Sequence, residues 1–586
     1  MRYGKTMLGA ACLLAFSLHA QETPLEQHYS HVQELNNESW TLLSAEPRDP
    51  QKLAKAVELL KTSLAESRQL QAELDDATSL DVSARMWDAQ FRLAKIYALL
   101  GQRQEALDAL EALLKLRWVS ASLAAQISGE HAFDGLHDEP RYQGVLSALK
   151  RMDERWSAPV IATPSGEVDE AHRIAGLSLF WSEARYNFVH FDLVPGLDWN
   201  QAYLDFLPKV IAAKNLHDYY DVMMRFAPLL HDGHTNIDPP EAMWNEFYAR
   251  PPIRTAMIDG HVLITTVRSP KLASLVRVGD EIVTIDGQDV RPYAQEHVVP
   301  YVSSSTPQDA LVRAYDYQLL QGDHRHPVTL GLKNASGSVR SVQLSREKDS
   351  TAKPAPAFEW RMLPGGVAYF AVNEFEDEEG VKAFERALPE ILKAKGLILD
   401  VRRNGGGSDA MAARILSYLT DQPILGSRSR SPDYVPLDRA SGGSYVAWKE
   451  WKAPSFRMER DRHVNGPVVL LVGPRTFSAA EDFVVAFDAM KRGTLMGETT
   501  GGSTGQPLEL SLPGGGTARI CAKHDSYPDG REFVGKGIPP QITVASTVED
   551  IRAGRDPVIQ RAVAVLTGKQ APPATPAPWG AGGQGR

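Results

Sequence analysis

Apolar residues recur at helical spacing from residue 28 to residue 155. The pattern is clearest over DAQFRLAKIYALLGQRQEALDALEALLKL (Asp88 to Leu116), where Gly101 breaks the register between two helices. The segment FDGLHDEPRY (Phe133 to Tyr142) reads as a loop with a proline stop, and the stretch from Glu154 to Val168, with Pro159 and Pro164, reads as a linker. Helical patterning resumes over Leu177 to Phe188, Trp199 to Ala213 and His217 to Leu230. The last of these runs into LLHDGHTNIDPP, where Gly233 is expected to take a positive φ and Pro239 and Pro240 forbid continuation. From Ile253 to about Leu344 short alternating runs predict strands at His261 to Val267, Glu281 to Ile285, Val328 to Leu332 and Ser338 to Leu344. From Phe358 to Leu566 strands and helices alternate: Val367 to Val372, a helix from Glu379 to Lys395, Gly396 to Val401, then a helix from Ala410. That alternation predicts an α/β domain with buried, mainly parallel strands. The tail from Ala571 to Arg586 is Pro, Ala and Gly with little to bury, and disorder is expected there.

Composition adds two limits. With 586 residues, 43% of them hydrophobic, the chain is expected to be a soluble protein of several domains. A formal net charge of -10 argues against nucleic acid or an anionic membrane as the main partner. Met1 to Ala20 has the pattern of a secretory signal: Arg2 and Lys5, an apolar run from Met7 to Leu18 too short to span a bilayer, then Ala20 before Gln21. Cleavage there would remove Cys12 and leave Cys521 as the remaining cysteine. An internal disulfide and a cysteine-based metal site are then not expected, and the compartment would be periplasmic or extracellular.

The candidate chemistry centres on GPVVLLVGPRTFSAAEDFVVAFDAMKRGTLMGETTGGSTG, Gly466 to Gly505. Ser478 stands where a buried strand turns into a helix, so free N–H groups of the first helical turn can face a developing negative charge. Ser478-Ala-Ala-Glu481 also fits a capping box, which taken alone is the commoner explanation. A second loop, GLILDVRRNGGGSD (Gly396 to Asp409), runs a strand into three glycines. Glycines allow close approach to a substrate and turn N–H groups toward it, while a phosphate cradle fails for want of a following Gly-Lys-Ser/Thr. His234, with Asp232, lies on the turn after an apolar helix; alone, it reads more readily as a structural hydrogen-bonding residue.

Several segments resemble known families. Ala94, Tyr97, Gly101, Ala106, Leu107 and Leu110 fall where a tetratricopeptide repeat places its packing residues. LVRVGDEIVTIDGQDV (Leu275 to Val290) resembles part of a PDZ domain, which binds an extended peptide at a sheet edge. The ordered motifs LLHDGHT, GDEIVTIDGQDV, LDVRRNGGG, RTFSAAED, GETTGG and PDGREFVGKGIPPQITV resemble the C-terminal processing (tail-specific) serine proteases, over about residues 170 to 566. The resemblance implies an α/β, crotonase-like (ββα-spiral) core at 355–568, with a helical N-terminal part of the protease region at 169–250. It further implies a β-rich PDZ-like domain at 251–348, an all-α tetratricopeptide-like domain at 21–155, a signal peptide at 1–20 and a disordered tail at 569–586.

The resemblance also assigns roles. Ser478 matches the nucleophile, and Ala479 with Gly406 or Gly407 matches the oxyanion donors. Many members use a lysine base in a Gly-Lys-Gly loop; here that loop reads GETTGGSTGQP, with Ser503 at about the lysine position. The tricorn-like branch uses a histidine from the N-terminal part of the fold instead, and His234 falls there, with an ordinary pKa suited to a general base. Asp232, Glu481 and Glu532 are candidates to orient it, and Lys523 and His524 are reserve bases. The expected activity is a secreted or periplasmic serine peptidase acting on protein or peptide substrates without metal or organic cofactor, with the helical domain docking a partner or other protomers. The alternative is a catalytically impaired peptide- or ligand-binding protein on the same fold. Acyl-CoA chemistry is disfavoured by the PDZ-like insertion and the signal sequence.

Overall fold

Every residue of the strands Val367–Val372, Gly396–Asp400 and Val468–Val472 is buried, as expected of strands covered on both faces. The structure is a computed structural model that describes residues 24–45, 47–74, 76–116, 123–156, 166, 168–442, 447–458 and 460–568. The expected signal segment, most of the expected linker and the expected tail lie outside the described residues. The chain divides into two compact units, one ending at residue 160 and one beginning at residue 161.

The first unit is helical, as the apolar spacing predicts. Its longer helices are Pro24–Ser44, Pro50–Leu70, Asp76–Leu99, Arg103–Leu113 and Pro140–Trp156. Gly101 has φ +74° and joins the third and fourth in a hairpin, with Ala94, Ala106, Leu107 and Leu110 buried between the helices. The segment from Phe133 departs from expectation. It forms a 3-10 turn, His131–Leu136, and Pro140 starts the next helix, because proline lacks an N–H that the first helical turn would leave unpaired anyway.

The second unit opens with helices Glu170–Asn187, Trp199–Ala212 and Leu216–Met224. They pack Leu177, Phe180 and Phe226 against Ile520 and Cys521 of an antiparallel sheet. That sheet is ordered Asn236–Asp238, Thr517–Cys521, Pro507–Ser511. A separate six-stranded antiparallel sheet follows the predicted strands closely: Ile253–Ile258, His261–Val267, Glu281–Ile285, Val328–Lys333 and Val339–Leu344, in that spatial order, with the short strand Gln288–Asp289 paired to Glu281–Ile285 off this path. The central six-stranded sheet has the order Ile542–Thr543, Thr494–Gly497, Val468–Val472, Gly396–Asp400, Val367–Val372, Phe358–Leu363. All neighbours are parallel except the last pair. Side chains alternate between two cores. Phe370, Leu399 and Leu470 pack on one face with Phe483 and Phe487; Tyr369, Ile398 and Leu471 pack on the other with Val558 and Ala562. The loops after Val372, Asp400, Val472 and Gly497 leave the same end of this sheet, where ligands of parallel α/β sheets bind.

The turn after the third helix also departs from expectation. The helix stops at Met224, a 3-10 turn Ala227–Leu230 follows, and the left-handed residue is His231 (φ 48°), not Gly233. Glycine is required at 233 for space: a Cβ there would come within 2.9 Å of Arg313 Nη2 and of Phe477 Cζ.

Candidate active site

Ser478 stands between the buried strand Val468–Val472 and the helix Ala479–Ala489, with φ 57° and ψ −132°. That conformation is costly for a residue with a Cβ, by about 1–3 kcal/mol, and persists only where its surroundings hold it. They do so here: Phe477 N donates to Asn404 O (3.1 Å) and Ser478 N donates to Ser503 O (3.0 Å). The hydroxyl caps nothing. The capping box is therefore corrected: Ser478 Oγ lies 3.0 Å from His234 Nε2 instead.

His234 is buried, and its Nδ1 lies 2.9 Å from Ser503 Oγ. With the ring proton on Nδ1 and Ser503 accepting it, Nε2 presents its lone pair to Ser478. Burial pushes the imidazole pKa down to about 3, against the opposing pull of Asp232, and the Arg519 and Arg313 charges push the same way as burial. The ring is thus neutral at neutral pH, the form a base needs. It stacks on Phe477 (centroids 4.7 Å, 12° between planes), and the Arg313 guanidinium lies over Phe477 from 4.9 Å.

Asp232 holds the turn and makes no hydrogen bond to the imidazole ring. Its Oδ2 accepts from His234 N (3.2 Å) and Thr235 Oγ1 (2.7 Å), and its Oδ1 accepts from Ser305 Oγ (3.1 Å). Glu481 likewise does not reach His234. It is fully buried, and its carboxylate accepts from Gly502 N (2.8 Å), Ser503 N (2.7 Å) and Thr500 Oγ1. Glu481 therefore fixes the loop that carries Ser503. Burial raises its pKa to about 7, although those three bonds oppose the shift.

The remaining candidates lie elsewhere. Glu532 Oε2 is 2.6 Å from His524 Nε2, and His524 Nδ1 is 3.2 Å from His190 Nδ1. Lys523 Nζ is 3.1 Å from Asp525 Oδ2. Burial pulls the lysine pKa down, but Asp525, Asp482 and Asp409 outweigh it and hold the group charged. Neither Lys523 nor His524 touches Ser478, so the structure brings neither reserve base to the candidate nucleophile. Ser503 is the residue that sequence reasoning noticed only as a missing lysine; the signal was its place in the loop, read as a loss.

The backbone N–H of Ala479, next to Ser478 in sequence, and that of Gly407 have no acceptor among the described residues. The choice between the glycines is thereby narrowed. Gly406 N donates to Asn404 Oδ1 at 2.8 Å, so its N–H is occupied. Gly406 serves by its lack of a side chain, since a Cβ there would come within 2.7 Å of Ser478 Cβ. Gly407, at φ 126°, lines a cavity of about 960 Å³ together with Ser478, His234 and Arg519. Among the described residues, His190, Asp232 and Cys521 bring possible metal-ligating atoms within 4.8 Å of one another. All three are engaged within the protein: Cys521 Sγ with His190 Nε2 (3.6 Å) and Lys523 O (3.4 Å), His190 with His524, and Asp232 as above. Burial pushes the Cys521 thiol well up, so it is protonated rather than a thiolate ligand.

Comparison with known proteins bears on the same region. The profile of Peptidase family S41 matches residues 366–544. The carboxy-terminal processing protease CtpA of Bacillus subtilis (strain 168) is 25% identical over 288 residues, covering 48% of this chain and 53% of that protein. The chloroplastic C-terminal processing peptidase of Tetradesmus obliquus is 26% identical over 298 residues, covering 48% of this chain and 56% of that protein. The chain thus spans about half the length of the curated relatives it matches. Mature CPAF, solved in complex with lactacystin, shares the fold at a TM-score of 0.54 and 15% identity, over 68% of this chain and 98% of that one. Residues 366–544 of this chain are a peptidase family S41 domain, homologous to the C-terminal processing proteases.

Proposed function

We propose that the protein is a serine peptidase that cleaves peptide bonds through an acyl-enzyme on Ser478. One observation carries the reading: Ser478 Oγ, held at a strained strand–helix junction, is 3.0 Å from Nε2 of a buried histidine. His234 takes the hydroxyl proton as Oγ attacks the substrate carbonyl, and Ser503 Oγ accepts from Nδ1–H of the resulting imidazolium. The Ala479 and Gly407 N–H groups receive the oxyanion, each contributing about 2.7–4 kcal/mol to barrier lowering. His234 then gives its proton to the departing amine, and a water repeats the sequence to release the acyl group. This Ser–His–Ser arrangement would replace the lysine that the loop Gly501–Gly505 lacks.

The six-stranded antiparallel sheet domain at 253–344 is read as PDZ-like, offering an edge to an extended peptide, and the helical unit as a tetratricopeptide-like docking module. A periplasmic or extracellular location goes with the charge and signal pattern at the start of the chain. A fluorophosphonate probe tests the core of the reading. Wild type is expected to label at one serine, and Ser478→Ala and His234→Ala each to abolish labelling. A folded wild type that binds peptides yet never labels would favour the ligand-binding alternative.

A further inference from the structure

Four arginines line the cavity in front of Ser478: Arg250, Arg313, Arg475 and Arg519. Three are each held by at least one bond within the protein. Arg250 Nη1 donates to Tyr317 O (2.8 Å), Arg313 pairs with Asp309 (2.8 Å) and Arg475 with Asp316 (3.1 Å). Arg519 is different: its buried Nε, like that of Arg475, has no acceptor, but alone of the four its guanidinium makes neither an ion pair nor a hydrogen bond to any described residue. The strand pairing sets Asn236 and Glu509 opposite it. Asn236 Nδ2 is given to Asp238 (2.7 Å), and Glu509 is solvent-exposed and pairs with nothing described. A half-buried guanidinium with a desolvated, unmatched N–H is an incomplete site, and its complement is a planar carboxylate.

We infer that Arg519 binds a carboxylate of the peptide substrate beside His234, making the enzyme selective for acidic side chains or for a free C-terminus near the cut. This rests on the peptidase reading. Glu246 and Glu376 also line the cavity, without an ion pair among the described residues, so a substrate carboxylate meets an unpaired countercharge at Arg519 and repulsion beside them. The placement has a chemical consequence. Arg519 opposes positive charge on His234, and taking the Ser478 proton creates that charge. A bound carboxylate neutralises Arg519 and removes the opposition, so the preference should extend to kcat as well as KM.

The test uses the full chain and two pools of random octapeptides, one ending in a free carboxylate and one in an amide, with cleavage products read by mass spectrometry. Enrichment of Asp and Glu at one fixed position from the cut identifies a side-chain carboxylate. Preference for the free-acid pool, with cuts at a fixed distance from its end, identifies the C-terminus. Either preference is expected at roughly 10- to 100-fold in kcat/KM and should collapse toward unity in Arg519→Gln. Fluorophosphonate labelling of Arg519→Gln reports whether the nucleophile survives, which separates a lost preference from a lost active site. A second arm measures retention of both pools on Ser478→Ala, and this decides the matter for Arg519 whatever the turnover. No acid preference in either arm, or one that persists in Arg519→Gln, overturns the assignment.

Discussion

At the scale of single residues, the unusual member of the site is Ser503, because a hydroxyl stands where the charge of an orienting carboxylate would help most. A neutral oxygen can accept from Nδ1–H and fix the tautomer, but it stabilises the imidazolium less than a carboxylate does. Removing it should still be costly, because a hydrogen bond to a charged group contributes about 1.5–3 kcal/mol. Ser503→Ala is therefore expected to slow fluorophosphonate labelling roughly 10- to 100-fold with little change in thermal stability. An unchanged labelling rate in a folded variant would mean that Nδ1 has another partner during turnover. The sequence supported the two ends of this contact unequally. Ser478 and the glycine loop were legible as candidates because a proposed nucleophile at a strand–helix turn calls for oxyanion donors nearby, and the resemblance motifs present both in order. The partnership of His234 with Ser503 joins positions 269 residues apart. No local pattern carries such a pairing; only the folded chain brings the two side chains together.

At the scale of elements, the site depends on a loop, Glu498 to Gly505, pinned to the first turn of the nucleophile helix by one carboxylate. Glu481 reads in sequence as half of a capping box, a local bond three residues long. In the structure it reaches across to the Thr500 hydroxyl and to the N–H groups of Gly502 and Ser503, since those N–H groups lie in a loop with no ladder to satisfy them. The misreading has the same cause as the Gly233 one. Local rules drew attention to these residues, but the space and hydrogen bonds they serve come from distant segments. Burial raises the Glu481 pKa from 4.5 to about 7. The folded state thus favours the protonated form. Its contribution is fully present below about pH 4.5 and is lost as pH rises through 7. A shift of that size corresponds to about 3 kcal/mol. Glutamine at this position does not titrate. The stability of wild type relative to Glu481→Gln, from urea unfolding, should therefore fall by about 3 kcal/mol between pH 4.5 and 7.5. A difference that stays constant with pH would show that the carboxylate is not desolvated as the burial indicates.

At the scale of the whole molecule, the catalytic turn is assembled from three parts of the second unit. The central sheet supplies Ser478 and the glycine loop, the early helices supply His234, and the antiparallel sheet domain at 253–344 supplies braces. Ser305 accepts from Gly233 N (3.0 Å), Thr306 Oγ1 donates to Gly501 O (2.7 Å), and Gln308 Nε2 donates to Thr500 O (3.0 Å). Arg313 Nη2 adds a bond to Gly233 O (3.2 Å). The fold class and most elements were legible because each of these parts has its own hydrophobic period. How the parts share one site was not, because the braces are polar residues in connecting segments, where no period operates. The first unit contributes none of these groups, since every residue of the site lies after residue 166. A chain spanning residues 166–568 should therefore fold in one cooperative transition and label with a fluorophosphonate at the rate of the full protein, within about threefold, well inside the 1.4 kcal/mol that a factor of ten represents. The comparison is made on both proteins at one pH and probe concentration, with circular dichroism confirming the fold. A folded fragment that labels tenfold more slowly would mean that the helical unit helps to set the geometry of the site. Equal labelling, combined with slower cleavage of a protein substrate by the fragment alone, would assign that unit to substrate docking.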